Sequence, residues 1–266
     1  MVLLIDLELL KKQMFFIFYT PGTFGSFLYH VLVLSDKFTK YYNNSLDIFD
    51  QNNAAHKNTL DVINNFHNDE EVKIWQNLKT IEEKNNYFIQ NLNTELKDIQ
   101  LFQPPLRVAT LLAVDDIRKF APTSKRILIF FEKKSINTVS KIMGEKVKHT
   151  NGINAITNYK KICKLPKNEK RKEIILFENS KKITQYYYDI SNLVDVKNDE
   201  AVFYFENFFT YEKFTKNLQE ILDKFNLSVD MDNVKILYER FYNVNVKYFN
   251  YDQNMVQLVV NENGLA

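Results

Sequence analysis

Short apolar runs of strand length alternate with segments of helical periodicity along much of the chain. The runs are FFIFY at residues 15–19, RVATLLA at 107–113, RILIFF at 126–131 and AVFYF at 201–205. They show little alternation between apolar and polar positions, which is typical of strands buried on both faces of a parallel sheet. A stretch that favours a helix follows each run, so the pattern predicts an α/β layer structure.

The predicted helices cover seven segments, at residues 26–34, 56–66, 82–96, 115–120, 135–143, 210–225 and 232–242. The segment 210–225 has the strongest pattern, because five large apolar side chains share one face of it: Phe214, Leu218, Ile221, Leu222 and Phe225. No internal repeat and no clean linker interrupts the series, so we expect a single domain over residues 1–266.

The section 141–173 departs from this series, since it is basic and irregular. It is interpreted as a long excursion or a flap, or as an ordinary solvated surface. Its lysine-rich part, residues 160–172, would suit an anionic acceptor or a nucleic acid, but such runs are usually solvated faces.

Composition narrows the functional classes. Hydrophobic residues make up 45% of the chain and charged residues 26%, as in a soluble globular protein. Lys and Arg number 35 against 33 Asp and Glu, so no overall positive field attracts nucleic acid, and no nucleic-acid partner is expected. An anionic partner must therefore be held by a local site.

The expected compartment is the cytoplasm. The single cysteine, Cys163, excludes an internal disulfide and a cysteine metal cluster, which fits a reducing environment. The apolar start carries Asp6 and Glu8 and lacks a basic leader region, so neither a signal peptide nor a membrane segment is predicted. The usage of Asn, Lys, Ile, Tyr and Phe indicates an AT-rich genome, such as that of a virus or a small bacterium.

The sequence TPGTFGS at residues 20–26 lies between the first predicted strand and the first predicted helix. Glycines allow a tight turn whose amides point inward, and the helix N-terminus adds positive potential, so this arrangement suits a phosphate group. Ser26 stands where its hydroxyl would donate to a phosphate oxygen. The alternative is a tight βα turn without a ligand. Residues 20–35 contain no lysine, which disfavours an ATPase or kinase with a G-x-x-x-x-G-K-[ST] loop.

Three segments resemble the sulfotransferases that use phosphoadenosine phosphosulfate. The step Gly25-Ser26-Phe27-Leu28, with Pro21 before it, is similar to the family's P-[KR]-x-G-[TS]-[TS]-[LFW] loop. The segment 120–142 resembles the family's second motif, a strand followed by a helix with a serine that binds the 3′-phosphate. The segment 202–209 (VFYFENFF) with its following helix resembles a third motif, and the three come in family order.

This resemblance implies a three-layer, P-loop-like α/β fold with a mainly parallel central sheet flanked by helices. It implies that the donor, or its product adenosine 3′,5′-bisphosphate, binds at two places. The 5′-phosphosulfate would lie on Gly22, Thr23, Phe24, Gly25, Ser26 and Phe27, and the 3′-phosphate on Arg126, Lys133 and Ser140. The sulfuryl group would pass to a hydroxyl or amine of a small-molecule or glycan acceptor.

The chain departs from the family at the loop cation, since Thr23 stands where the family has lysine or arginine. Glu132 replaces the arginine of the second motif, and no R-K-G-type loop occurs near the C-terminus. Two alternatives therefore stay open beside a sulfotransferase. One is a non-catalytic protein that keeps the fold for binding or assembly, and the other is a nucleotide-dependent kinase or glycosyltransferase with an atypical loop.

His56 is the candidate general base, because one branch of the family places its base a few tens of residues after the loop. On an unbroken helix His67 would share its face, about three turns on, although both residues are also explained as ordinary histidines. His30 is expected to be packed in the first helix. Asp115 and Asp116 are interpreted as a solvated helix start rather than a carboxylate pair. The histidine spacing predicts no metal site.

Overall fold

A computed structural model describes residues 14–39, 59–60, 77–80, 82–83, 86–87, 105–149 and 169–249. Its centre is a five-stranded sheet in the order β2-β3-β1-β4-β5, and every neighbouring pair is parallel. The strands are β1 (Phe15–Phe18), β2 (Thr59–Leu60), β3 (Leu106–Val108), β4 (Lys125–Phe130) and β5 (Glu200–Tyr204).

Seven helices are described around the sheet: α1 (Gly25–Val33), α2 (Asp36–Thr39), α3 (Val114–Phe120), α4 (Ile136–His149), α5 (Glu169–Ser191), α6 (Tyr211–Phe225) and α7 (Met231–Phe249). Turns of 3-10 helix, Lys133–Ser135 and Phe205–Phe209, follow β4 and β5. None of the helices in the described part of the chain is long and apolar enough to cross a membrane.

The apolar strands are buried on both faces, and this produces three layers. Along β1, Phe15 and Ile17 join a core with α1, α6 and α7, whereas Phe16 and Phe18 join a second core with α3 and α5. Strand side chains alternate between faces, so two cores require apolar residues at consecutive positions. The predicted mainly parallel sheet flanked by helices is confirmed, and the runs 15–19 and 126–131 form neighbouring parallel strands.

Two sequence predictions are wrong in part. Thr59–Leu60 is a strand inside the predicted helix 56–66, because its backbone pairs with β3, where Leu60 lies opposite Val108. The section 141–173 was predicted to be irregular, but both of its ends are helical, since α4 continues to His149 and α5 begins at Glu169. These two helices pack against each other. That long-range contact stabilises the parts of the two helices for which the lysine-rich sequence gave no clear signal.

Side chains of α6 cover the outer edge of β5. Asn217 accepts a hydrogen bond from the Tyr204 amide at 3.3 Å and donates to the Val202 carbonyl at 3.1 Å, as a neighbouring strand would. Lys224 donates to the Glu200 carbonyl. An open strand edge is a site for unwanted pairing with another chain, so this cover protects the sheet.

A cluster of charged side chains links neighbouring elements at the amino end of the sheet. The Glu200 carboxylate, with a fully buried side chain, accepts from Arg126 Nε at 2.9 Å and from Arg118 Nε at 2.8 Å. Burial alone would raise the pKa of Glu200, but the hydrogen bonds from Arg118, the Lys197 amide and Arg126 outweigh it, and the pKa lies below its usual value. This cluster joins α3, β4 and β5.

Candidate functional site

The glycine loop, residues 20–26, lies at the carboxyl end of the central strand β1, and its last two residues begin α1. From β1 the chain continues toward β2, on one side of the β1–β4 pair in the sheet, whereas from β4 it continues to β5, on the other side. Adjacent strands whose connections leave in opposite directions open a crevice at their carboxyl ends, where α/β proteins bind ligands. The loop therefore borders the position that the topology favours for a site.

The two glycines of the loop each allow a close contact. Gly22 has φ +95°, and a methyl group there would lie 2.9 Å from the Val139 carbonyl oxygen of α4. At Gly25 an added Cβ would lie 2.2 Å from Cγ of the Tyr19 ring. Neither position accepts a side chain without movement of its neighbours. The spacing of the glycines is thus explained by packing, which joins the loop to α4 at Gly22.

Phe24, between the glycines, has a left-handed backbone with φ 60°, which is unusual for a bulky residue. Its ring is buried and packs edge-on against Phe241 and stacks on Phe205. Phe27 is also buried, stacked on Phe241 at 4.0 Å. Such backbone strain persists only where packing fixes it, and it is common beside functional sites. Both rings belong to the core, and the Phe27 amide donates to the Phe24 carbonyl at 2.9 Å, so neither side chain is placed to contact a ligand.

The structure does not place Thr23 in the role of the family's loop cation. Its side chain is fully buried, and its hydroxyl donates to the Thr20 carbonyl at 2.7 Å. The Thr20 hydroxyl oxygen is itself buried and has no hydrogen-bond partner in the described part of the chain.

A cation that the sequence analysis missed lies beside Ser26. Arg107 projects from β3, and its Nη1 donates to Ser26 Oγ in the first turn of α1 at 3.0 Å. The guanidinium carbon lies 4.8 Å from the centre of the Tyr29 ring. Arg107 is only 2% exposed, whereas Ser26 is half-buried and reachable from outside. In the sequence, the signal that could have identified Arg107 was its position as a charged residue in the apolar run 107–113, which is predicted to be buried.

His30, one turn beyond Ser26, is packed as the sequence predicted. Burial, and after it the positive charge of Arg107, lower the pKa of His30 to about 4. The imidazole is therefore neutral at physiological pH. Because His30 is neutral, the positive charge near the start of α1 comes from Arg107.

Of the three residues assigned to the 3′-phosphate, Lys133 is the one that follows the carboxyl end of β4. Lys133 is exposed directly after β4 and borders a cleft of about 330 Å³ whose wall includes Tyr188 and Tyr204. Ser140 is fully buried in α4 and donates to the Ile136 carbonyl at 2.6 Å, so its proton is used inside the helix.

Arg126 lies at the amino end of β4, opposite Phe16. Four residues of strand, about 13 Å, separate it from the carboxyl end of β4. Its guanidinium is occupied by Glu200 and Asp199. Arg126 is therefore separated from the glycine loop, and it has a structural role at the amino end of the sheet.

The candidate base His56 and its neighbour His67 lie outside the described residues, as does most of the lysine run 160–172. Asp115 and Asp116 begin α3, as predicted, and Asp115 pairs with Arg118. Within the described ranges, no group of three or more His, Cys, Asp or Glu side chains is placed to hold a metal ion.

Comparison of the chain with family models, with curated protein sequences and with solved structures finds no match. The geometry of the glycine loop, Ser26, Arg107 and Lys133 is the basis of the function proposed below.

Proposed function

We propose that the protein binds phosphoadenosine phosphosulfate in the crevice between the carboxyl ends of β1 and β4, and that it transfers the sulfuryl group to a hydroxyl or amine of a small-molecule or glycan acceptor. The observation that carries the proposal is the contact between Gly22 and Val139. It joins the glycine loop to α4, two segments that the resemblance assigns to opposite ends of one nucleotide.

The two ends of the nucleotide meet different groups. The amides of Gly25 and Ser26, in the first turn of α1, have no acceptor within the helix and carry its positive dipole, so the phosphosulfate fits there beside the Ser26 hydroxyl. Lys133 suits the 3′-phosphate, and the aromatic rings of Tyr188 and Tyr204 along the neighbouring cleft suit the adenosine.

In the proposed reaction an acceptor oxygen or nitrogen attacks sulfur. The bond between sulfur and the bridging phosphate oxygen breaks, the acceptor's proton passes to a base, and adenosine 3′,5′-bisphosphate leaves. Negative charge grows on the bridging oxygen, so a nearby cation or amide donor accelerates the step. His56 remains the proposed base.

Binding without catalysis is a second candidate function, and Thr23 favours it. The family's loop cation is replaced by a buried hydroxyl that is hydrogen-bonded to Thr20 and turned away from a ligand. A protein that retained the nucleotide site as an assembly or sensing module would need no such cation.

Nucleotide binding is tested by calorimetry and thermal shift with adenosine 3′,5′-bisphosphate, with AMP as the ligand that lacks the 3′-phosphate. At a hundred times its Kd the bisphosphate stabilises the folded state by about 2.7 kcal/mol, which raises Tm by several degrees. Lys133→Gln is expected to weaken the bisphosphate about tenfold and leave AMP unchanged.

Lys134→Gln is the matched control. It removes the same charge from the neighbouring residue, an exposed lysine that pairs with Glu132. Absence of any bisphosphate binding to the folded protein refutes the proposal. If the nucleotide binds, isotope-labelled donor incubated with alcohols, amines and glycans separates the two functions. Label transfer supports the enzyme, and intact donor with every acceptor class supports the binding protein.

A further inference from the structure

Arg107 is a buried cation without a carboxylate partner in the described part of the chain. Its Nε and Nη2 atoms are buried and make no hydrogen bond there, while Nη1 donates to Ser26. Taking a charge out of water costs several kcal/mol unless it is paired and hydrogen-bonded. The face of the Tyr29 ring offsets part of this cost.

Arg126 shows how this protein meets that cost at another buried position. Arg126 is 3% exposed and binds Glu200, Asp199, Ser124 and the Ala121 carbonyl. Arg118 shares Glu200. Arg107 is buried as deeply as Arg126, yet it contacts a neutral hydroxyl and an aromatic ring.

Ser26 connects this cation to the start of α1. Its oxygen accepts from Arg107, so the serine's own proton is left to donate outward. The amides of Gly25 and Ser26 lie in the first turn of the nine-residue helix α1. An oxyanion at this point would face a hydroxyl donor, first-turn amides and a guanidinium together.

We infer that Arg107, with Ser26 and the first turn of α1, binds a tetrahedral phosphate or sulfate group and supplies from β3 the positive charge that the glycine loop lacks. This inference rests on the proposed function in that the group is assigned to the 5′ end of the nucleotide. The site also stands without the nucleotide, since free phosphate has the same chemistry.

The inference is tested by Arg107→Met, which keeps side-chain length and removes the charge, with Arg240→Met on the exposed face of α7 as the matched control. Inorganic phosphate, inorganic sulfate and adenosine 3′,5′-bisphosphate are the probes, and Kd is measured by calorimetry. Arg107→Met is expected to weaken each bound probe about tenfold to a hundredfold, and Arg240→Met is expected to change none.

The stability of the unliganded protein gives a second readout. Removing an unpaired buried charge in favour of an apolar side chain is often neutral or stabilising, so Arg107→Met is expected to be no less stable than the wild type without ligand. It should also gain no stability from phosphate. A folded Arg107→Met variant that binds all probes with wild-type affinity overturns the inference.

A measurement on the wild-type protein covers the case in which Arg107→Met does not fold. Anion binding beside Arg107 screens the charge that helps to keep His30 neutral, so phosphate is expected to raise the pKa of His30, measured by NMR of its ring protons. Saturating bisphosphate and phosphate that both leave the His30 titration unchanged overturn the inference.

The outcomes distinguish this inference from the proposed function. If phosphate binds in an Arg107-dependent manner but the bisphosphate binds no better than phosphate, the anion site stands and the nucleotide proposal fails. If the bisphosphate binds through Lys133 and Arg107→Met has no effect, the nucleotide proposal stands and the role of Arg107 fails.

Discussion

Replacing Glu200 with glutamine is expected to remove the charge that holds the buried Arg126 and the partly buried Arg118 at the amino end of the sheet. The Glu200 side chain is fully buried and accepts from both Arg118 and Arg126. Glutamine keeps the shape, but its NH₂ group points a donor at one of the guanidinium groups. The variant therefore removes one negative charge and one of the two acceptors for the arginines, with little change in side-chain volume.

The magnitude follows from the partners that remain. Breaking a buried ion pair by removing one member typically costs 3–5 kcal/mol. Arg118 retains Asp115, and Arg126 retains Asp199, but these carboxylates are 77% and 58% exposed and weakly placed to compensate. We expect a loss near the lower end, about 3 kcal/mol, which corresponds to a fall in Tm of roughly 6–12 °C.

The assay is urea unfolding followed by circular dichroism, with calorimetry for Tm. Asp195→Asn is the control, because it makes the same charge change at an exposed pair with Lys197 and is expected to have no measurable effect. A Glu200→Gln protein as stable as the wild type would refute the reasoning that this cluster stabilises the fold.

Three further predictions concern packing, the sheet edge and pH. Gly25→Ala is expected to destabilise the fold by about 1–3 kcal/mol in urea unfolding, since its Cβ would lie 2.2 Å from the Tyr19 ring; wild-type stability contradicts the close contact. Asn217→Ala is expected to cost about 1–3 kcal/mol and to cause concentration-dependent association in size-exclusion chromatography, because the Tyr204 amide loses its acceptor; a stable monomer contradicts the covering role. The pKa of His30 is lowered from 6.5 to about 4 on folding, so the unfolded state binds its proton first, and stability should fall by up to about 3 kcal/mol between pH 6.5 and 4. His30→Gln should flatten that part of the pH profile, and an unchanged slope contradicts the assignment.

The sequence predicted the central strands well for a physical reason. A run such as FFIFY is apolar at every position, and only burial on both faces accommodates it, so β1 and β4 follow from local composition. The helix α6 was equally clear, because one face is apolar and Thr210 caps its start through the Lys213 amide. The P-loop-like class itself remains a prediction.

The elements that sequence reasoning missed depend on distant contacts. The two-residue strand β2 forms only because β3 lies beside it. Arg107 illustrates the same limit in the candidate site, since it meets Ser26 across 81 positions of sequence once β3 pairs with β1. No local sequence pattern predicts the pairing of β3 with β1. In the same way, the separation of Arg126 from the loop appears only when the strand register is known.

The most direct test of the central claim is a crystal structure of the protein with adenosine 3′,5′-bisphosphate at saturating concentration. We expect 5′-phosphate oxygens within about 3 Å of Ser26 and the Arg107 guanidinium, with the 3′-phosphate toward Lys133. A nucleotide bound elsewhere, with the first turn of α1 empty, would contradict this expectation.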